Sequence, residues 1–216
     1  MKFPNAYKGV KKIWIAELIM ILVAVVGIVT VVIPAANGVD INDEVALSNA
    51  PFKGVLAALA IVAALGALVA FFFNLIGIIG ARKDDTNFKI ALYVTLLGIA
   101  ASIVSAIWSN SQVLNKWMDI VITLSSLFAS YYVLTGIASL AEKYPDEETK
   151  AFVLKSRTWL EGSFCLTIVL KFIANIFHIQ SEVALLIMGI AALVVEIISY
   201  VLYLCALNKG KNMLAK

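Results

Sequence analysis

Cysteine, histidine, proline and charge are all scarce in this chain, and each shortage closes off a class of function. Only two cysteines, Cys165 and Cys205, occur in 216 residues. Both lie in apolar runs without a C-x-x-C pair, so neither a disulfide framework nor a thiolate metal centre is expected. The single histidine, His178, has no H-E-x-x-H companion, and G-x-S-x-G, a P-loop and paired carboxylates are missing as well. Ser163 and His178 could only serve as nucleophile and base if they met. On one helix they lie about 22 Å apart, which prevents it. No catalysis, metal or cofactor is expected.

Charged residues make up 14% of the chain against 62% hydrophobic, and the mean hydropathy is +0.97. Such a composition lies far outside that of a soluble domain and requires most of the chain to sit in lipid. The formal charge of +3 does not point to a nucleic acid, because the cations are dealt out in small groups between apolar runs. All four prolines, Pro4, Pro34, Pro51 and Pro145, fall outside those runs, so nothing obliges a helix to break inside a membrane.

What is present is a series of apolar runs, each near the roughly 20 residues that cross a bilayer. Six spans are read at 13–33, 54–81, 88–109, 117–141, 159–178 and 183–207. They must be helices, since backbone in lipid satisfies its own hydrogen bonds and these runs lack the alternation of barrel strands. A basic start followed by an apolar run also resembles a signal peptide. Ile13 to Ile33 is too long for a signal core, however, so a retained first helix is expected.

Lysine and arginine fix the orientation. With the N-terminus inside, Lys2, Lys8, Lys11, Lys12, Arg82, Lys83, Lys89, Lys143, Lys150, Lys155, Arg157, Lys209, Lys211 and Lys216 share one side, leaving Lys53, Lys116 and Lys171. Both termini are therefore expected in the cytoplasm. Trp14, Trp108, Trp117 and Trp159 fall at span ends, where an indole prefers the headgroup boundary. The expected fold is an all-α integral membrane protein, one six-helix domain over 1–216, multi-pass in a cell membrane of bacterial cytoplasmic type. Asp85 or Thr86 is placed to cap the third span, and Pro145 to Glu148 reads as a helix start.

Small residues give the packing. Ala63, Ala67, Ala70, Asn74, Gly77 and Ala81 recur at steps of four and three. So do Ala91, Thr95, Gly98, Ser102, Ser105 and Ser109, and likewise Ser125, Ala129, Tyr132, Gly136 and Ser139. Lipid supplies no hydrophobic drive between helices, so such faces are the expected contact surfaces. In the sixth span Gly189, Ala192, Glu196, Ser199, Tyr203 and Ala206 share a face, which should turn Glu196 into the bundle.

An acid at a helix centre costs about 2.5–3.5 kcal/mol on insertion scales, while an average interhelical hydrogen bond returns about 0.6. Glu196 must therefore be neutral, ion-paired or facing water. Ser199, Tyr203, a neighbouring helix or Lys171 are its expected partners. Lys171, Asn175 and His178 fall on one face of the fifth span and could line an outer vestibule, while Asn74 most simply bridges helices. The primary expectation is a non-catalytic accessory, assembly or immunity-type membrane component. Its partners would be the bilayer and a protein reached through the outer loop 34–53 or the inner loop 142–158. The alternative is a small-solute or proton-coupled carrier, or a transporter's membrane subunit, using Glu196 and Lys171.

Overall fold

The chain is all-helical in the computed structural model, which describes residues 2–40, 43–108, 111–144, 146–176 and 182–216. The described residues form six long helices: α1 (Pro4–Ala36), α3 (Lys53–Ala81), α4 (Thr86–Ile107), α5 (Gln112–Lys143), α6 (Glu147–Ile176) and α7 (Glu182–Ala215). A six-residue helix, α2 (Glu44–Asn49), lies in the segment between α1 and α3, with Asp43 Oδ1 accepting the Ala46 N–H. Within the described residues five helical stretches are long and apolar enough to cross a membrane: Pro4–Ala36, Lys53–Ala81, Thr86–Ile107, Trp117–Lys143 and Ile187–Ala215. The span expected at 159–178 reaches the end of the described part of α6 at Ile176.

The helices overrun the apolar spans at one end. α1 begins at Pro4, before the span start at 13, and α7 continues to Ala215, past the span end at 207, while α6 begins at Glu147, within the helix start read at Pro145 to Glu148 and ahead of the span start at 159. Pro4 and Pro34 thus both lie inside α1, Pro4 in its first turn, where a missing N–H costs nothing, and Pro34 in its last. Gly38 takes the left-handed conformation, φ 68°, and its N–H bonds back to Ala35 O as the helix closes.

Two compact units make up the chain, Met1–Lys11 with Gly77–Lys216, and Lys12–Ile76. The core of the first joins residues of α4 and α5 to residues of the overrun segments. Ala6, Val10, Phe88, Leu134, Ile137, Leu140, Val153 and Leu207 are fully buried, as are Met213 and Leu214 nearly so. Glycine makes the close approaches. The Phe88 ring lies where a Gly136 side chain would be, and the Ile137 side chain does the same at Gly210. In the second unit α1 and α3 meet at Gly66, whose absent Cβ would come within 2.8 Å of Val23 Cγ2.

Elsewhere the apolar surface points outward. Only 6% of the apolar window of α1, and 6% of that of α3, is buried inside the chain. Leu22, Ile28, Ile61, Ile107, Trp117 and Ile187 are each 60–66% exposed or nearly so, set among many other exposed large apolar side chains. Apolar exposure on this scale within each unit marks contact with lipid or protein.

Candidate functional site

The turn between α3 and α4, Lys83-Asp84-Asp85-Thr86, ties together the end of the first unit. Asp85 is the N-cap of α4 in extended backbone, φ −151° and ψ 140°, the role its position before an apolar run suggests. Its Oδ1 accepts the Asn87 backbone N–H at 2.9 Å and Asn87 Nδ2 at 2.8 Å. Oδ2 accepts Ser139 Oγ at 2.7 Å and Lys143 Nζ at 3.1 Å, both from α5. Burial pushes this carboxyl up, but the bonds from Ser139, the Asn87 backbone and Lys143 outweigh burial and hold it below the usual carboxylate range. Asp84 turns the other way. Its Oδ2 accepts the Ala6 N–H at 2.7 Å and its Oδ1 accepts Asn5 Nδ2 at 3.0 Å, so a side chain 78 positions away satisfies an orphan donor in the first turn of α1. Lys2 Nζ donates to Lys143 O at 3.0 Å, drawing the N-terminal segment to α5.

A similar cap starts α6. Asp146 Oδ1 accepts the Thr149 N–H at 2.9 Å. That bond is the main reason its carboxyl lies below the usual range, and nearby Lys216 and Lys209 add to it. Lys209 also pairs with Glu148 at 2.8 Å and sits 4.6 Å from the Phe152 ring centre. Asp146, Glu148, Thr149, Lys209, Asn212, Met213 and Lys216 line a shallow cleft of about 160 Å³. Within it the Lys209 ammonium is paired with Glu148.

Arg157, grouped by sequence with the inner loop, is a helical residue of α6. Its guanidinium lies 5.0 Å from the Tyr131 ring centre, its Nη1 donates to Thr135 Oγ1 at 3.4 Å, and its Nε lies 3.4 Å from Glu161 Oε1. The signal was the four-residue spacing of Arg157 and Glu161, which a helix turns into neighbours.

Glu196 finds its partner on α6. Its Oε1 lies 2.8 Å from Thr167 Oγ1, and one turn along, Ser199 Oγ donates to Trp159 O at 3.2 Å. The inward orientation expected for Glu196 is not what the structure gives: Ser199, Tyr203 and Ala206 are buried, whereas Glu196 and Gly189 are exposed. The reason is helical register. Three residues before Ser199, Glu196 lies about 60° round α7, at the margin of the face that α6 covers. The carboxyl therefore sits roughly 20 Å along an apolar helix, among exposed Leu193, Val194 and Ile197.

The Thr167 hydroxyl has one proton and two acceptors within reach, Glu196 Oε1 and Ser163 O at 3.1 Å. It can donate to an ionised Glu196. Equally, it can donate to Ser163 O and accept the proton of a neutral Glu196. Nothing in the sequence singles out Thr167, because a threonine in an apolar span looks like any small packing residue.

The remaining expected residues divide. Tyr203 is buried with Ser199 on the covered face of α7. Asn74 Oδ1 is buried and has no hydrogen-bond partner among the described residues, so the helix bridge expected of it is not made by that atom. The side chains of Lys171 and Asn175, and the whole of His178, lie outside the described residues. Of the expected small-residue faces, Ala70, Gly77 and Ala81 of α3, Ala91 and Gly98 of α4, and Ser125 and Gly136 of α5 are buried. Among the described residues no group of three or more histidine, cysteine or carboxylate side chains could hold a metal.

Compared with protein-family models, curated proteins and solved structures, the chain matches none.

Proposed function

We propose that the chain is a six-span protein of a cell membrane with both termini in the cytoplasm, and that it works as a non-catalytic accessory or assembly component. In this reading a partner's transmembrane helix docks on the α6–α7 seam. The observation that carries it is the exposed Glu196 carboxyl beside Thr167, midway along an apolar helix. In lipid an acid at that depth costs about 2.5–3.5 kcal/mol, and one hydroxyl contact returns about 0.6. A polar or cationic group on a second membrane helix offsets the difference, and the exposed Leu193 and Ile197 supply apolar contact on either side of it. The outward apolar surface of α1 and α3 supports the membrane location, since water would drive it to aggregate.

Photo-crosslinkers placed at Leu193 and Ile197 in native membranes are expected to trap a second polypeptide. Glu196→Leu should lower its recovery in mild detergent at least tenfold, and Thr167→Val should do so less severely. Recovery of the chain alone, with no crosslinked species at either position, would refute the docking reading. Solute flux in proteoliposomes that disappears in Glu196→Gln and Lys171→Ala would assign a carrier instead.

A further inference from the structure

We infer that Lys8, Lys11, Arg82, Lys83 and Lys89 form one binding rim for the phosphate of an anionic phospholipid headgroup. In the sequence these cations are two small groups, separated by about seventy positions. The fold joins them. Asp84 holds the Ala6 N–H and Asn5 side chain, and Gly9 lies so close to α3 that a Cβ there would come within 2.7 Å of Ala81 Cβ. Lys8 and Lys11 flank this contact on α1, while Arg82 and Lys83 follow it at the end of α3.

The local acids do not neutralise the rim. Asp85 is paired with Lys143, and Asp84, held by the neutral Ala6 N–H and Asn5 amide, sets a single negative charge against five cations. All five cations are exposed, and among the described residues none of them is in an ion pair. Five cations against the single carboxylate of Asp84 leave a net positive charge around the contact of α1 with the end of α3, and an anion bound there relieves their repulsion.

The neighbouring surface points to a lipid. Ile79, one turn before Arg82 and Lys83, is 37% exposed, and Tyr93, one turn after Lys89, is 58% exposed with Lys89 Nζ 5.9 Å from its ring centre. A ligand with a phosphate head and apolar chains engages both levels. Free phosphate engages only the first, and an acidic peptide has nothing to place on the second. The inference rests on the membrane location proposed above, so the two are tested separately: alkaline carbonate extraction of native membranes reports on insertion whether or not the rim binds lipid.

The full chain, purified in mild non-ionic detergent, is offered phosphatidylglycerol or phosphatidylcholine, and retained lipid is counted by native mass spectrometry. Phosphatidylglycerol is expected to be retained in preference. Each cation near an anionic lipid contributes about fivefold, so Arg82→Gln with Lys83→Gln should weaken retention about 25-fold. Lys53→Gln with Lys155→Gln, which removes the same charge elsewhere, should leave it within about twofold. Helical circular dichroism confirms that both variants fold. Equal retention of the two lipids, an equal loss in the control variant, or full displacement by inorganic phosphate would each overturn the inference.

Discussion

Gly9→Ala is expected to lower the thermal unfolding midpoint of the detergent-solubilised chain by about 4–8 °C, although alanine is the better helix former. A Cβ at this position meets the carbonyl of Gly77, Ala81 Cβ at 2.7 Å and Ala81 N at 2.8 Å. Two of these three are backbone atoms, which cannot swing aside as a side chain can. The start of α1 must instead move off α3, and that movement also strains the Asp84 bond to the Ala6 N–H. Overpacking costs about 1–3 kcal/mol, and against backbone that cannot swing aside the upper value of about 3 applies, which a propensity gain of about 1 kcal/mol reduces to about 2. A loss of about 2 kcal/mol produces the stated shift in a chain of this size. Gly27, on the same helix, has nothing within 4 Å of its would-be Cβ. Gly27→Ala should therefore leave the midpoint unchanged or raise it, and equal losses in the two variants would contradict the packing explanation.

Asp85→Ala should cost about 2–3 kcal/mol, read by the same unfolding measurement. It removes the N-cap of α4, worth about 1 kcal/mol, and the acceptor for Ser139 and Lys143, bonds worth about 1–2 kcal/mol together once the half-exposed lysine is discounted for solvent. The effect has a pH signature. The folded carboxyl lies below its unfolded value of about 3.9. Its contribution is therefore fully present above that pH and is lost as the pH falls through the lower, folded value. The stability gap between the natural chain and Asp85→Asn should hold from pH 7 to 5 and narrow below pH 4. A gap that stays constant to pH 3 would show that the negative charge of Asp85 does not stabilise the fold.

These two positions also mark what the sequence makes legible. The apolar runs give the long helices because their length and lack of alternation admit no other structure in lipid, and Asp85 before Thr86 reads locally as a cap. Asp84 does not, because its partner lies at the other end of a helical pair and no local pattern announces it. The start of α6 at Glu147 is legible in Pro145 to Glu148, whereas the overrun of α1 and α7 is hidden for a different reason. Hydropathy ends at Ile13 and Leu207, whereas helix continues wherever capping, ion pairs and a narrow buried face such as Ala6, Val10 and Met213 support it. Glu196 shows the limit of a periodic face: membership in a stripe sets the side of the helix to within about 60°, but the width of that stripe which is covered depends on how many neighbours pack there. Thr167 became visible only once α6 was set beside α7.

The proposed topology puts both chain ends on the cytoplasmic side of a six-span bundle. Single cysteines at Lys2, Asn37 and Lys216, in a chain with Cys165 and Cys205 replaced by alanine, can be probed in cells with a membrane-impermeant maleimide. Labelling of Asn37→Cys in intact cells, with Lys2→Cys and Lys216→Cys reacting only after permeabilisation, is the predicted result. Labelling of one terminus but not the other in intact cells would contradict it.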